Sequence, residues 1–438
     1  MEFEKIGLKV PEILLPNKNI NMTKWAVVAC DQYTSEPNYW KQVSNLVSNN
    51  PSTLNLIYPE VYLEENNKDK ENRINKINSS MKEYLKNKIL TKNEAFILVD
   101  RKTNQVKSRK GLVVALNLDM YDFNKGSKTL IRATEGTIIE RLPPRIKVRE
   151  NAEIELPHIM VLIDDPKKTV IEPLFKQKLE IAYDFDLMMN SGHIKGSFIK
   201  DKKIIEQIAN NLSKLANKDD FNKKYNLTND SVLLYAVGDG NHSLATAKSI
   251  WEELKKKGVK NHPAQYALVE LVNVHDAGLE FKPIHRVIFN IDTTKILNQM
   301  KSFFEKENAT VKITTFKTLK LAEKDSLKHT KKEHKIMFVT KNQIGVISIK
   351  NPKRNLEVGT LQAFIDEHIN KKSIDYIHGE DVVLSHGRKD KNIGFFLPVM
   401  AKEELFRTVL LDGALPRKTF SMGDADEKRF YLEARQIK

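Results

Sequence analysis

The sequence predicts a mixed α/β fold, with a further α+β part toward the C-terminus. Three observations predict it. Short apolar runs such as "IMVLIDDP" (159–166) and "VLLYAV" (232–237) read as strands buried on both faces. Amphipathic stretches alternate with them, as at 202–215, where Ile204, Ile205, Ile208, Leu212 and Leu215 share one helical face. Beyond about residue 293, "TVKITTF", "HKIMFVT" and "QIGVISIK" alternate apolar and polar residues, the pattern of an antiparallel sheet.

Each element follows in order. The opening "MEFEKIGLKVPEILLP" carries Glu2, Glu4, Lys5, Lys9 and Glu12, so no signal peptide is expected there. "EPNYWKQVSNLV" reads as a helix with Pro37 in its first turn and Asp31 or Ser35 as caps. The polar piece at 64–90 enters an amphipathic helix through Ile74, Ile77, Met81, Tyr84 and Leu85. "EAFILVDRK" and "KGLVVALNLDMY" form two strands around a turn at 102–108. After 232–237 and its helix comes a second buried strand in "PAQYALVELVNVHD", a turn at "GLEF", and an extended "KPIHRVIFN". A helix ("KILNQMKSFFEKE"), the three alternating strands, a helix ("LQAFIDEHIN"), the strand "NIGFFLPV" and a helix near 401–411 complete the chain. The expected division is 1–95, 96–292 and 293–438.

Composition narrows the function classes. The chain has 438 residues and a single cysteine, Cys30. That excludes an intrachain disulfide framework and a cysteine-based zinc cage, and it suits a cytoplasmic setting. Cys30 has no activating neighbour in sequence and reads as a buried thiol. No apolar run reaches the roughly 18 residues of a membrane span, so no membrane partner is expected. The net charge is +15, but the lysines are spread out, and the run at 255–257 suits a helix C-terminus. With no helix-turn-helix and no coherent basic stripe, a small anionic metabolite is a better partner than nucleic acid.

The stretch "AVGDGNHSLATAK" carries the chemistry. A strand stops at Gly238, Asp239, Gly240, Asn241 and His242, and a helix begins with Leu244, Ala247, Trp251 and Leu254 on one face. The glycines permit a sharp turn and close approach of a ligand. Asn241 or Ser243 is the expected cap. Helix N–H groups and the helix dipole favour an anion there. A carboxylate beside that anion, Asp239, suggests chemistry rather than binding alone. The P-loop and Rossmann spacings are both absent.

Other stretches add candidates. "RATEGTIIERLPPR" gathers Arg132, Arg141 and Arg145, donors suited to phosphate, around Glu135, a candidate general base. "VACDQYTSEPNYW" clusters Asp31, Gln32, Tyr33, Thr34 and Ser35 at a strand end. "PIHRV" sets His285 and Arg286 on opposite sides of an extended segment, so that one of them reaches the site. "ALPRKTF" offers Lys418 and Thr419 as an anion contact. His275 and Asp276, with His242 and Asp239, are the residue types of a mixed metal site. No ligand-spacing signature joins them, so no protein-only metal site is expected. Magnesium carried in with phosphates, needing one or two carboxylates, is the expected metal.

The turn "VGDGNHSLATA" resembles the "DGHHR" turn of archaeal free serine kinases, which is itself similar to turns of sulfiredoxin and ParB-type proteins. Asn241 and Ser243 stand where that motif commonly has histidine and arginine. The stretches "KIGLKVPEILLP", "WAVVACDQYTSEPNYW", "PSTLNLIYPEVYLE", "IRATEGTIIERLPPR", "GDGNHSLATAK", "PIHRVI", "FFLPV" and "LPRKTFSMG" resemble, over nearly the full chain, the prokaryotic family of unknown function numbered ten-fifteen. The resemblance implies a ParB/sulfiredoxin-like core and a place in serine metabolism.

The expectation is a phosphoryl-transfer or phosphate-ester-hydrolysing enzyme on a small amino-acid-like substrate, with serine or phosphoserine favoured, and with ATP or ADP and magnesium. Gly238, Gly240, Asn241 and Ser243 hold the phosphate; Arg132, Arg141 and Lys418 neutralise it. Asp239 or Glu135 takes the proton, and His242 donates to the phosphate or acts as an acid. The alternatives are a ParB-like nucleotide-binding, DNA-associated switch and a small-molecule sensor with a degenerate site.

Overall fold

The computed structural model describes residues 1–136, 142–228, 231–328, 330 and 332–438. The chain is a mixed α/β protein made of two compact units. The first is Met1–Glu280 together with Met422–Lys438; the second is Phe281–Ser421.

The first unit is built on an eleven-stranded mixed sheet. Its main path runs Glu180–Asp186, His193–Ile199, Phe96–Lys102, Arg109–Asn117, Tyr266–Asn273, Met160–Ile163, Tyr235–Asp239, Ile131–Ala133 and Tyr121–Asp122. The period of two assigns the faces. Phe96, Leu98, Leu112, Val114, Val269 and Leu271 face a core shared with the helices Lys202–Leu215 and Asn241–Lys256. Ile97, Val99, Val113 and Leu268 face the opposite core, with Trp25, Trp40, Val43, Met81, Phe430 and Tyr431. That second core draws on residues before and after position 95, and Glu12–Pro16 pairs with Leu90–Glu94. The 1–95 segment and the 96–280 segment are therefore packed as one unit, unlike the expected division at 95.

Local signals behave as sequence chemistry requires. Asp201 accepts from the Lys203 and Ile204 N–H groups and starts the 202–215 helix. Pro37 occupies the first turn of the Pro37–Val47 helix. The cap there is Glu36, with no side-chain bond, rather than Asp31 or Ser35.

The second unit carries a six-stranded antiparallel sheet in the order Thr310–Phe316, Ile344–Lys350, Glu333–Thr340, Ile393–Phe396, His285–Ile288 and Ile374–Ile377. It begins upstream of the expected boundary at 292–293, because His285–Ile288 is one of its inner strands. Among the described residues, no helix is long and apolar enough to cross a membrane.

Candidate functional site

The Tyr235–Asp239 strand lies between Met160–Ile163, antiparallel, and Ile131–Ala133, parallel. Gly240 follows at φ +77°, and the Asn241–Lys256 helix begins. A side chain at Gly240 would place Cβ 3.0 Å from the Ile159 Cα; one at Gly238 would lie 2.9 Å from the Leu162 Cγ. Both glycines thus answer the packing of their own chain, and at Gly240 the left-handed backbone as well. Neither Asn241 nor Ser243 caps the helix. The cap position is Gly240, which has no side chain to give. Instead the Gly240 N–H donates to Asp239 Oδ1 (2.9 Å), and Thr134 Oγ1 donates to the Val237 carbonyl (2.6 Å). Asn241 Nδ2 donates to that same carbonyl (3.2 Å), leaving its Oδ1 buried without a partner.

Three chain segments converge on this turn. Val27–Val28 pairs with Phe430–Tyr431, which sets Cys30 and Asp31 beside the C-terminal segment. His158 immediately precedes Ile159 and the Met160–Ile163 strand. Lys428 Nζ lies 3.0 Å from Asp239 Oδ2. His158 Nε2 is 3.5 Å from Ser243 Oγ and 3.7 Å from Asp31 Oδ2. Its Nδ1 is 2.7 Å from the Tyr431 hydroxyl, which lies 3.0 Å from Cys30 Sγ. Gln32 Nε2 donates to Asp31 Oδ1 (2.9 Å), and Arg145 is paired with Glu60.

The electrostatics follow from burial. Burial pushes Asp31 upward, but His158, the Gln32 amide, Lys428 and Arg145 together hold it below the ordinary carboxylate value. Burial, Asp31 and Glu60 push the Cys30 thiol far up, which makes it a poor nucleophile. The Tyr431 phenol is likewise raised by burial and by Cys30 and Asp31, and stays protonated.

Several expected residues lie elsewhere. The Arg132 guanidinium donates to the Thr129 carbonyl (2.8 Å), Ser231 Oγ (3.1 Å) and the Val232 carbonyl (3.4 Å). Ser231 and Val232 precede the Tyr235–Asp239 strand, so Arg132 serves the end opposite the turn and is no phosphate clamp there. Burial lowers it to about 10. Arg141 lies outside the described residues. Glu135 directly follows Thr134, and His242 stands in the first helical turn; both are partly buried and remain at the turn. His275 and Asp276 follow the end of Tyr266–Asn273, where Ile163 pairs with Asn273, whereas Asp239 pairs with Met160. They sit at the other end of the Met160–Ile163 strand, and His275 Nε2 is bound to Asp164 Oδ1 (2.7 Å). Among the described residues, no group of three or more His, Cys, Asp or Glu is placed to hold a metal.

Four more candidates belong to the second unit. His285 and Arg286 were expected on opposite sides, one of them reaching a ligand, but both are buried. His285 Nδ1 accepts from the Leu397 N–H (3.1 Å), and burial, with Arg286 and His378, lowers it to about 4. Arg286 donates to Gln362, to the Ile284 carbonyl and to the Arg417 carbonyl (3.0 Å), and its guanidinium lies 4.8 Å from the Tyr376 ring centroid. The donors named here serve its own unit. Thr419 is buried and donates to the Pro416 carbonyl (2.5 Å); Lys418 is exposed, at φ +56°.

Sequence reasoning missed His158, Lys428 and Tyr431. His158 sits unmarked before an apolar run, and the other two lie in the C-terminal "EKRFYLE". The pairing of that segment with Val27–Val28, together with the buried Arg429–Glu270 ion pair, holds those two at the turn.

The model of a family described as "Protein of unknown function (DUF1015)" matches residues 14–368, most of the chain. The chain belongs to this family. No curated protein matches this DUF1015 member. Among solved structures it is similar to a free serine kinase variant in complex with AMP, at 14% identity and TM-score 0.39, over 74% of this chain and 91% of that one. A conserved hypothetical protein from Pyrococcus furiosus is similar at 14% identity and TM-score 0.35, over 74% and 95%. SbnI from Staphylococcus aureus, truncated at its C-terminus, is similar at 10% identity and TM-score 0.36, over 74% and 86%. The DUF1015 site thus brings together a helix start without a side-chain cap, a lysine cation, an imidazole and two carboxylates. Such a set can hold an anion and move a proton.

Proposed function

We propose that this chain is a phosphoryl-transfer or phosphate-ester-hydrolysing enzyme acting on a small amino-acid-like substrate, with serine or phosphoserine favoured. The observation that carries the reading is the convergence of Lys428, Asp239, His158 and Asp31 on the start of the Asn241–Lys256 helix. That helix is 16 residues long, and its dipole favours a phosphate at this end. Lys428 supplies the neutralising charge that phosphoryl transfer needs, in place of Arg132. It also makes the carboxylate of Asp239 tolerable beside an anion. Charges of both signs at Asp31, Glu60, Arg145 and Lys428 suit a zwitterionic substrate that also carries phosphate.

The likeness of the turn to that of free serine kinases supports ATP or ADP as donor. Magnesium arriving with the phosphates needs only one or two protein carboxylates. Asp239 fits that need, and the metal would then supply charge neutralisation at the phosphate.

Phosphorus NMR tests the reading. The full chain is incubated with magnesium and serine plus ATP, serine plus ADP, or phosphoserine alone. A new phosphorus signal in one tube, lost in Lys428→Met, is expected. Unchanged spectra in every tube overturn the enzyme and leave an anion-binding turn.

A further inference from the structure

We infer that His158 is the general base of this site, with Asp31 as the carboxylate that stabilises its imidazolium and Tyr431 as a positioning residue. The inference rests on the phosphoryl-transfer reading above and deepens it.

The tautomer is set by the ring's neighbours. The Tyr431 hydroxyl has one proton, directed to Cys30 Sγ at 3.0 Å, and it accepts from the Cys30 N–H at 3.4 Å. With that proton on Cys30 Sγ, the Tyr431 oxygen 2.7 Å from His158 Nδ1 accepts from it, which puts the imidazole proton on Nδ1 and the lone pair on Nε2; a proton turned to Nδ1 instead would reverse the tautomer. Nε2 faces the first turn of the anion-binding helix. Its two neighbours there, Ser243 Oγ at 3.5 Å and Asp31 Oδ2 at 3.7 Å, are both beyond the usual range of about 2.7–3.2 Å. A substrate hydroxyl between them would meet a ring nitrogen held to the protein only by the long Ser243 contact. Asp239, one of the two acids expected for this task beside Glu135, has its oxygens on the Gly240 N–H and Lys428. The charged and titratable groups around His158 are Asp31, Tyr431 and Cys30, with Lys428 and Arg145 acting on Asp31, and Glu60 paired with Arg145.

The step balances. The substrate O–H proton passes to His158 Nε2, and the freed electron pair forms an O–P bond. The bond from that phosphorus to the bridging oxygen of the nucleotide breaks, and the oxygen departs with the pair. The imidazolium, facing Asp31, later releases its proton to solvent.

The test uses the full chain. Nitrogen-15 NMR of histidine-labelled protein should show the Nδ1–H tautomer for the resonance that disappears in His158→Gln, and Tyr431→Phe should erode that preference. His158→Gln should lower kcat at least ~100-fold while nucleotide affinity stays within about twofold. An Nε2–H tautomer in the wild type, or a retained kcat in His158→Gln, overturns the inference alone. A wild type that turns over none of the three substrate sets overturns the phosphoryl-transfer reading, and this inference with it.

Discussion

At the scale of single residues, the site turns on which charges are free to meet a ligand. Arginine was the expected clamp, but Arg132 and Arg286 spend their donors on their own chain. A guanidinium with five donors that is buried must satisfy them internally. Among the described residues, Lys428 is a cation that stays at the turn, with its side chain 12% exposed. Lys428→Met should weaken pyrophosphate binding by about tenfold, or ~1.4 kcal/mol, in calorimetry. Asp239→Asn, which removes the competing carboxylate, should not weaken it. Equal losses in both variants would show that the ion pair only shapes the turn. Gly240 makes a second prediction. Its φ of +77° and the Ile159 contact leave no room for a methyl group, so Gly240→Ala should cost about 1–3 kcal/mol in urea unfolding. A cost near zero would show that the turn relaxes.

Elements carry the next level. The inner strand His285–Ile288 of the second unit holds a neutral imidazole in its core. Burial moves His285 from 6.5 down to about 4, so the unfolded chain binds the proton first. Stability is then full above about pH 6.5 and is lost as pH falls toward 4, by on the order of 3 kcal/mol for this group. Thermal melts across that window should show the loss, and His285→Gln, which can still accept from the Leu397 N–H, should flatten it. Parallel slopes in the two proteins would assign the acid sensitivity to other groups. Periodicity placed most elements well, because alternation and helical spacing are local. The strand before the turn was displaced: the run 232–237 was expected, and Tyr235–Asp239 forms the strand. Pairing with Met160–Ile163 and Ile131–Ala133 decides those ends, and neither partner is local.

The first unit as a whole is closed by its C-terminal segment. Arg429 binds Glu270 (2.7 Å) and Glu433 (2.8 Å), and Arg435 binds Glu155 (2.7 Å), all buried. Glu270 follows the face of Leu268 by the period of two, so a carboxylate lies under the sheet where the segment crosses it. Removing one partner leaves an uncompensated buried charge. Arg429→Met should therefore destabilise the first unit by about 3–5 kcal/mol in denaturant unfolding and lower its affinity for pyrophosphate, since Lys428 and Tyr431 sit on the same segment. A loss below about 1 kcal/mol would mean that the pair contributes little beyond its desolvation cost.

By itself the sequence determined the α/β class, the antiparallel C-terminal strands, the Gly-Asp-Gly-Asn-His turn and the helix that follows, all written in short-range patterns. Tertiary structure decided which polar residues share that turn. Cys30 and Tyr431 are 401 positions apart and His158 and Tyr431 are 273 apart, yet each pair is in contact. No spacing rule links residues so distant. Sheet register and burial bring His158, Asp31 and Lys428 to the turn, and the same burial turns Arg132 and Arg286 inward.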